Sequence, residues 1–98
     1  MGAGYVGILT CELHFPASHS LKEKRHFLRS AKQRLQNMGC AVAEVDHHDV
    51  WQRSRLTVSV VAREYRELER LLDEAERYLG SHEWELGQVE RTVVDPDD

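Results

Sequence analysis

Apolar and polar residues alternate from Tyr5 to Phe15. Tyr5, Gly7, Leu9, Cys11, Leu13 and Phe15 fall on one side, and Val6, Ile8, Thr10, Glu12 and His14 on the other. A period of two predicts a strand with one packed face and one more polar face. Pro16, with no N–H to give a ladder, ends it. Ser20 then stands where a helix N-cap belongs, with Glu23 three residues on, the spacing of a capping box. Leu21, Leu28, Ala31, Leu35 and Met38 recur at helical spacing, so the helix runs to about Met38 and Gly39 stops it. Ala41 to Val45 predicts a short strand and Asp46 to Arg53 a turn. Leu56 to Ala62 is rich in β-branched residues and predicts a central strand. A second helix from about Glu64 to Leu79 carries the stripe Tyr65, Leu68, Leu72, Ala75 and Leu79, and Gly80 closes it. Trp84 to Val94 alternates weakly and makes the last strand.

The order β-α-β-β-α-β predicts an α+β fold, the ferredoxin-like split βαβ sandwich. Two right-handed crossovers place both helices on one face of a four-stranded antiparallel sheet of order 4-1-3-2. Residues 1–94 make one domain and residues 95–98 a disordered, solvated acidic tail. In this topology the end of strand one, the start of helix one and the loop between strands two and three share one edge of the sheet. "SLKEKR" (residues 20–25) and "DHHDVWQR" (residues 46–53) therefore become neighbours, with His14, His19, His47, His48 and His82 on or near that edge.

Charge adds a feature that the apolar pattern does not contain. The 98-residue chain has a formal net charge of -4, yet Ser20 to Leu35 holds six of its thirteen Lys and Arg residues. At about 100° per residue, Lys22, Arg25, Arg29 and Lys32 form one stripe beside the apolar one. Like charges three and four residues apart repel by a few tenths of a kcal/mol per pair. Helix two, by contrast, interleaves Glu67, Glu69, Arg70, Asp73, Glu74 and Arg77. One reading of the stripe is a solvated face whose long stems cover the core edge; the other is a contact with an anion or nucleic acid. Lys24 falls inside the apolar stripe, which predicts either an ion pair with Glu44, Asp46 or Asp49 or a charge contributed to a ligand site. Trp51 is either a loop anchor or, beside Gln52, Arg53 and Arg55, a surface for stacking on a base or a partner. If the helix and loop form one surface, Trp51 lies near the first turn of helix one.

Other chemistry is absent from the sequence. There is no Gly-rich phosphate loop and no CxxC pair, and Cys11 and Cys40 sit in apolar surroundings as small buried thiols. Asp46 to Asp49 contains metal-ligating residue types, but adjacent side chains in an extended chain diverge, so no metal, cofactor or catalytic residue is expected and the chain is not read as an enzyme. No apolar run approaches the roughly 18 residues of a membrane span, and the first ten residues lack the charged start of a signal peptide. The expected setting is therefore cytoplasmic, with no membrane contact. Thr10, Glu12, Glu44, Ser59 and Glu90 are expected to line the open sheet face, with no aromatic platform of the kind an RNA-recognition motif uses. Val6 and Ile8 on that face, and the short second strand at an edge, carry the alternative of a homodimer or protein-interaction module.

"SLKEKR", followed by "AEVDHHDVWQR" and the "VSVV" strand, resembles the YlxP-like bacterial family, a domain of unknown function; the resemblance covers about Val6 to Val94. It implies a ferredoxin-like fold, and no catalytic residues come with it. Members often carry Gln at the position of His48. Their genes tend to lie beside those for translation initiation factor two and ribosome-binding factor A, which implies a role linked to RNA or the ribosome. The expected contacts for that role are Lys22, Lys24, Arg25, Arg29, Lys32, Trp51, Gln52 and Arg53.

Overall fold

A computed structural model describes residues 2–81 and 83–97. The elements are β1 (Tyr5–His14), α1 (Leu21–Asn37), β2 (Ala41–Asp46), β3 (Arg53–Ala62), α2 (Tyr65–Leu79) and β4 (Glu85–Val94). They form one four-stranded sheet of order β2-β3-β1-β4, the expected order read from the other edge. All three strand pairings are antiparallel.

The alternation in β1 sorts the residues as expected. Leu9, Cys11, Leu13 and Phe15 are buried, as are Leu56, Val58, Val60 and Ala62 of β3. Leu28, Ala31 and Leu35 of α1 and Leu68, Leu72, Ala75 and Leu79 of α2 complete this core. α2 lies tight against β1 because Gly7 has no side chain: a Cβ there would sit 2.8 Å from Leu72 Cδ1.

The ends of α1 follow from its sequence. Ser20 Oγ accepts the N–H of Glu23 at 3.1 Å. The return arm of the capping pattern reaches one residue further out, with Glu23 Oε2 accepting the N–H of His19 at 2.8 Å. At the other end Gly39 N donates to Gln36 O and Cys40 N to Leu35 O, both at 3.0 Å. This pair of reversed bonds is the Schellman motif, and Gly39 has the positive φ of 91° that it requires.

Two expected boundaries shift for identifiable reasons. β3 begins at Arg53 rather than Leu56 because Arg53 pairs with His14 at the end of β1. Trp84 precedes β4 instead of opening it: its indole N–H donates to Leu79 O at 2.7 Å and its ring meets Phe15 edge-on, so it plugs the core beside the end of α2. Near the C-terminal end, the carboxylate of Asp97 accepts the N–H of Ala3 at 2.6 Å. A correction falls on Glu44. It pairs in register with Leu56 and faces the helices, not the open face, because β2 presents Val42 and Glu44 inward.

The positive φ at Gly39 gives a direct test. Gly39→Ala places a Cβ in a left-handed conformation with open space around it, so backbone strain alone is read. It should lower unfolding stability by about 1–2 kcal/mol in urea titration, and Gly39→Asn by less.

Candidate nucleic-acid interface

Lys22, Arg25, Arg29 and Lys32 occupy an arc of about 80° on α1 and span roughly 15 Å along its axis. Lys22, Arg25 and Arg29 are exposed and Lys32 half-buried. Among the described residues, none of the four makes an ion pair or a side-chain hydrogen bond. α2 differs in carrying acids among its bases: Arg70 meets Glu74 at 2.9 Å, and Asp73 and Glu76 hold Arg91 of β4 at 2.9 and 3.0 Å, while Arg66 and Arg77 make no ion pair among the described residues. The four ammonium and guanidinium groups on α1 thus keep their full hydrogen-bonding capacity toward solvent. Arg25, Arg29 and Lys32 rim a shallow depression of about 440 Å³ with Leu28, Gln36 and Glu44.

Lys24 is different, and its place among the surface contacts is corrected. Its side chain is 1% exposed. The ammonium donates to His47 O at 2.7 Å and Arg53 O at 3.1 Å and lies 3.1 Å from Glu44 Oε2, with His48 O at 3.5 Å. All three N–H groups have acceptors within reach. The helical angle that set Lys24 among apolar residues points it under the β2–β3 loop, where the turn leaves carbonyls facing inward. Of the three acids named as partners, Glu44 is the one used; its other contact is the buried hydroxyl of Ser54 at 2.6 Å. No phosphate can reach this ammonium.

The loop itself is tied at several points. Gln52 donates its amide N–H to Ser18 O at 3.1 Å, and its backbone carbonyl accepts the N–H of Phe15 at 2.8 Å. Gln52 therefore spends its amide nitrogen on the β1–α1 connection. His47, at φ 66°, takes the left-handed conformation that turns the chain. Trp51 is 52% exposed and makes no ring contact among the described residues, and Val50 beside it is 40% exposed. Together with Asp49 and Gln52 they line a depression of about 350 Å³. Arg53 lies opposite His14 on the open face of the sheet, the face away from α1. The structure thus brings the Trp51 loop to the N-terminal end of α1 through Lys24 and Gln52 but leaves Arg53 on the other side.

A cluster on the open face escaped the sequence reading. Arg55 Nε meets Glu12 Oε1 at 2.6 Å and its Nη1 meets Asp46 Oδ2 at 3.2 Å, while His47 Nε2 lies 3.5 Å from Glu12 Oε2. The polar alternation of each strand was visible, but the register joining Glu12 to Arg55 was not. The N–H of His47 foremost, and then the His47 imidazole, hold the Asp46 carboxyl below its usual value. Burial and then the charge of Glu12 push the Cys11 thiol up to about 12, and burial raises Cys40, so neither is a nucleophile near neutral pH. His14, at 3.1 Å from Glu85, His19, His47 and His48 lie around the expected edge, whereas His82 lies outside the described residues. Among the described residues no group of three or more His, Cys, Asp or Glu side chains is placed to hold a metal ion, and no helix is long and apolar enough to cross a membrane.

The family model for a protein of unknown function, DUF503, matches residues 6–91. The chain belongs to the DUF503 family. A relative similar to it is the uncharacterized protein YlxP of Bacillus subtilis (strain 168), 28% identical over 90 residues, covering 91% of this chain and 94% of that protein. The matched segment contains α1, the β2–β3 loop and all of β3, so the parts described here lie within the DUF503 domain.

Lys24→Met should cost about 3–5 kcal/mol in urea unfolding, because it leaves the Glu44 carboxylate inside with only Ser54. Adding Glu44→Leu should recover part of that loss, since the remaining cost is two or three unpaired carbonyls. Asp46, whose folded pKa is depressed, stabilises the fold above its unfolded value near pH ~4 and loses that contribution as pH falls through the folded value. Asp46→Asn should therefore flatten the acid side of the stability–pH curve.

Proposed function

We propose that this DUF503 chain is a small non-enzymatic accessory protein that binds RNA, on its own or as part of the ribosome, through the phosphate backbone. The observation that carries the reading is the stripe of four aligned cations on α1 with no acid partner among the described residues. An acidic chain that sets acids among the bases of its second helix places none in this stripe. Cations 4.5–6 Å apart along the axis, from three- and four-residue steps of about 1.5 Å, suit successive phosphates of one strand. Trp51, half-exposed on a loop fixed to the same end of α1, supplies one stacking surface, which is sequence-tolerant because every base has a π-face. Lys24 acts behind this surface as the clamp that sets the loop. The open sheet face is left out of this mode, since its Arg55 is held by Glu12 and Asp46 and it has no aromatic platform. The proposed role is recognition in ribosome maturation or translation, which rests on the gene neighbourhood that the family resemblance implies, with affinity dominated by salt-dependent phosphate contacts.

The test is anisotropy of a labelled mixed-sequence single-stranded RNA, with co-sedimentation on purified ribosomes. The wild-type affinity should fall with salt with a log–log slope of about −3, four contacts at roughly 0.7 each. Arg25→Glu with Arg29→Glu should weaken binding at least about tenfold and reduce the slope by about 1.4, leaving the thermal midpoint within a few degrees. Trp51→Ala should weaken binding with the slope unchanged. RNA and ribosome retention by the Arg25/Arg29 variant equal to wild type refutes the reading.

A further inference from the structure

Both helices cover one face of the sheet, and the opposite face is graded from one end to the other. Three apolar side chains, Val61, Val6 and Val94, sit side by side across β3, β1 and β4. Ile8 follows, between Ser59 and Thr92. At the far end the corresponding row is Arg53, His14 and Glu85. Val61 is 67% and Val94 42% exposed, and no described element packs over them.

We infer that this face is a homodimer interface, packed sheet on sheet about a two-fold axis running close to β1. The argument is the distribution of charge and apolar surface on the two flanks of β1. A two-fold axis along β1 exchanges the β3 flank with the β4 flank and keeps each row at its own level. Val61 of one copy then meets Val94 of the other, and Val6 and Ile8 each meet their own counterpart. At the charged end, Arg53 meets Glu85 of the second copy twice over. Arg53 makes no ion pair among the described residues, and Glu85 is 69% exposed with its carboxylate engaged only by His14. An axis across the strands through the middle of the sheet would instead lay the valine row on the charged row. With the axis on β1, the strands β3, β1 and β4 overlap their counterparts, and two gaps of about 4.8 Å over ten residues of about 3.3 Å give roughly 320 Å² in projection before side-chain relief, a small interface suited to a reversible dimer. A standard interface takes about 800 Å² of accessible surface from each partner. Twisted sheets packed this way lie about 10 Å apart with strands near 30°. The α1 stripes stay outward on opposite sides, so the dimer does not depend on the RNA reading and would present two basic helices facing away from each other.

Sedimentation equilibrium of the full chain without RNA tests it. Wild type should dimerise reversibly, and Val61→Asp, at an exposed position, should raise the dimer dissociation constant at least about tenfold with an unchanged circular dichroism spectrum. Thr92→Arg provides a second disruption should Val61→Asp disturb the fold. Arg53→Glu and Glu85→Arg should each weaken the dimer, and the two together should restore it, which a merely structural role would not produce. A wild-type chain that stays monomeric at its highest soluble concentration overturns the proposal. So does a dimer indifferent to Val61→Asp and Thr92→Arg, or a charge-swapped double variant that stays as weak as the single ones.

Discussion

A buried ammonium sets the working end of this molecule. Removing Lys24 from water costs several kcal/mol, and that cost is tolerable only if every N–H finds an acceptor. Here the acceptors come from three separate places: Glu44 at the end of β2, His47 in the turn and Arg53 at the start of β3. One side chain of α1 therefore fixes the path of a loop that has little apolar material of its own. The left-handed backbone of His47 is held by the same bond, since the carbonyl that Lys24 grips belongs to the strained residue. Gln52 adds a tie from the loop to the β1–α1 connection. Trp51 stands out in solvent because the residues on either side of it are anchored.

Much of this was legible in the sequence, for physical reasons that differ from element to element. β1 was readable because one of its faces packs and the other does not, so burial imposed the alternation of Leu9, Cys11 and Leu13 on the chain. α1 was readable because its cap, stripe and terminal glycine agree. The anomaly of Lys24 was visible as a charge at a core angle, and topology alone narrowed its partners to three acids. The choice of Glu44 was not visible, because β2 is short and its inward face depends on register. The same gap misplaced Glu44 on the open face and hid the contact of Glu12 with Arg55. Cross-strand charge contacts depend on pairings between segments some forty residues apart, and local pattern carries no trace of them. Trp84 was misread as strand because a Trp beside alternating residues suits β-structure; its hydrogen bond to Leu79 is a tertiary fact.

The sheet divides the chain's charges into separate tasks. On the helix side, Lys24 is consumed in the clamp, Arg34 lies over the Tyr78 ring, and the four cations of the stripe make no ion pair among the described residues. On the open side, Arg55 is neutralised by Glu12 and Asp46, while Arg53 and Glu85 stand on opposite flanks of β1. An overall negative charge thus conceals a basic helix. Net charge is a poor guide to the surface of this DUF503 domain; pairing decides which charges are available.

The chain has three lysines, Lys22, Lys24 and Lys32, which makes the central claim open to one measurement. Amine acylation of the native protein, read by mass spectrometry with and without RNA, reports the availability of each. The account predicts that Lys22 and Lys32 are modified readily, that Lys24 resists until the protein is unfolded, and that RNA protects Lys22 and Lys32 without changing Lys24. Native Lys24 reacting as fast as Lys22, or RNA leaving both surface lysines fully reactive, would contradict it.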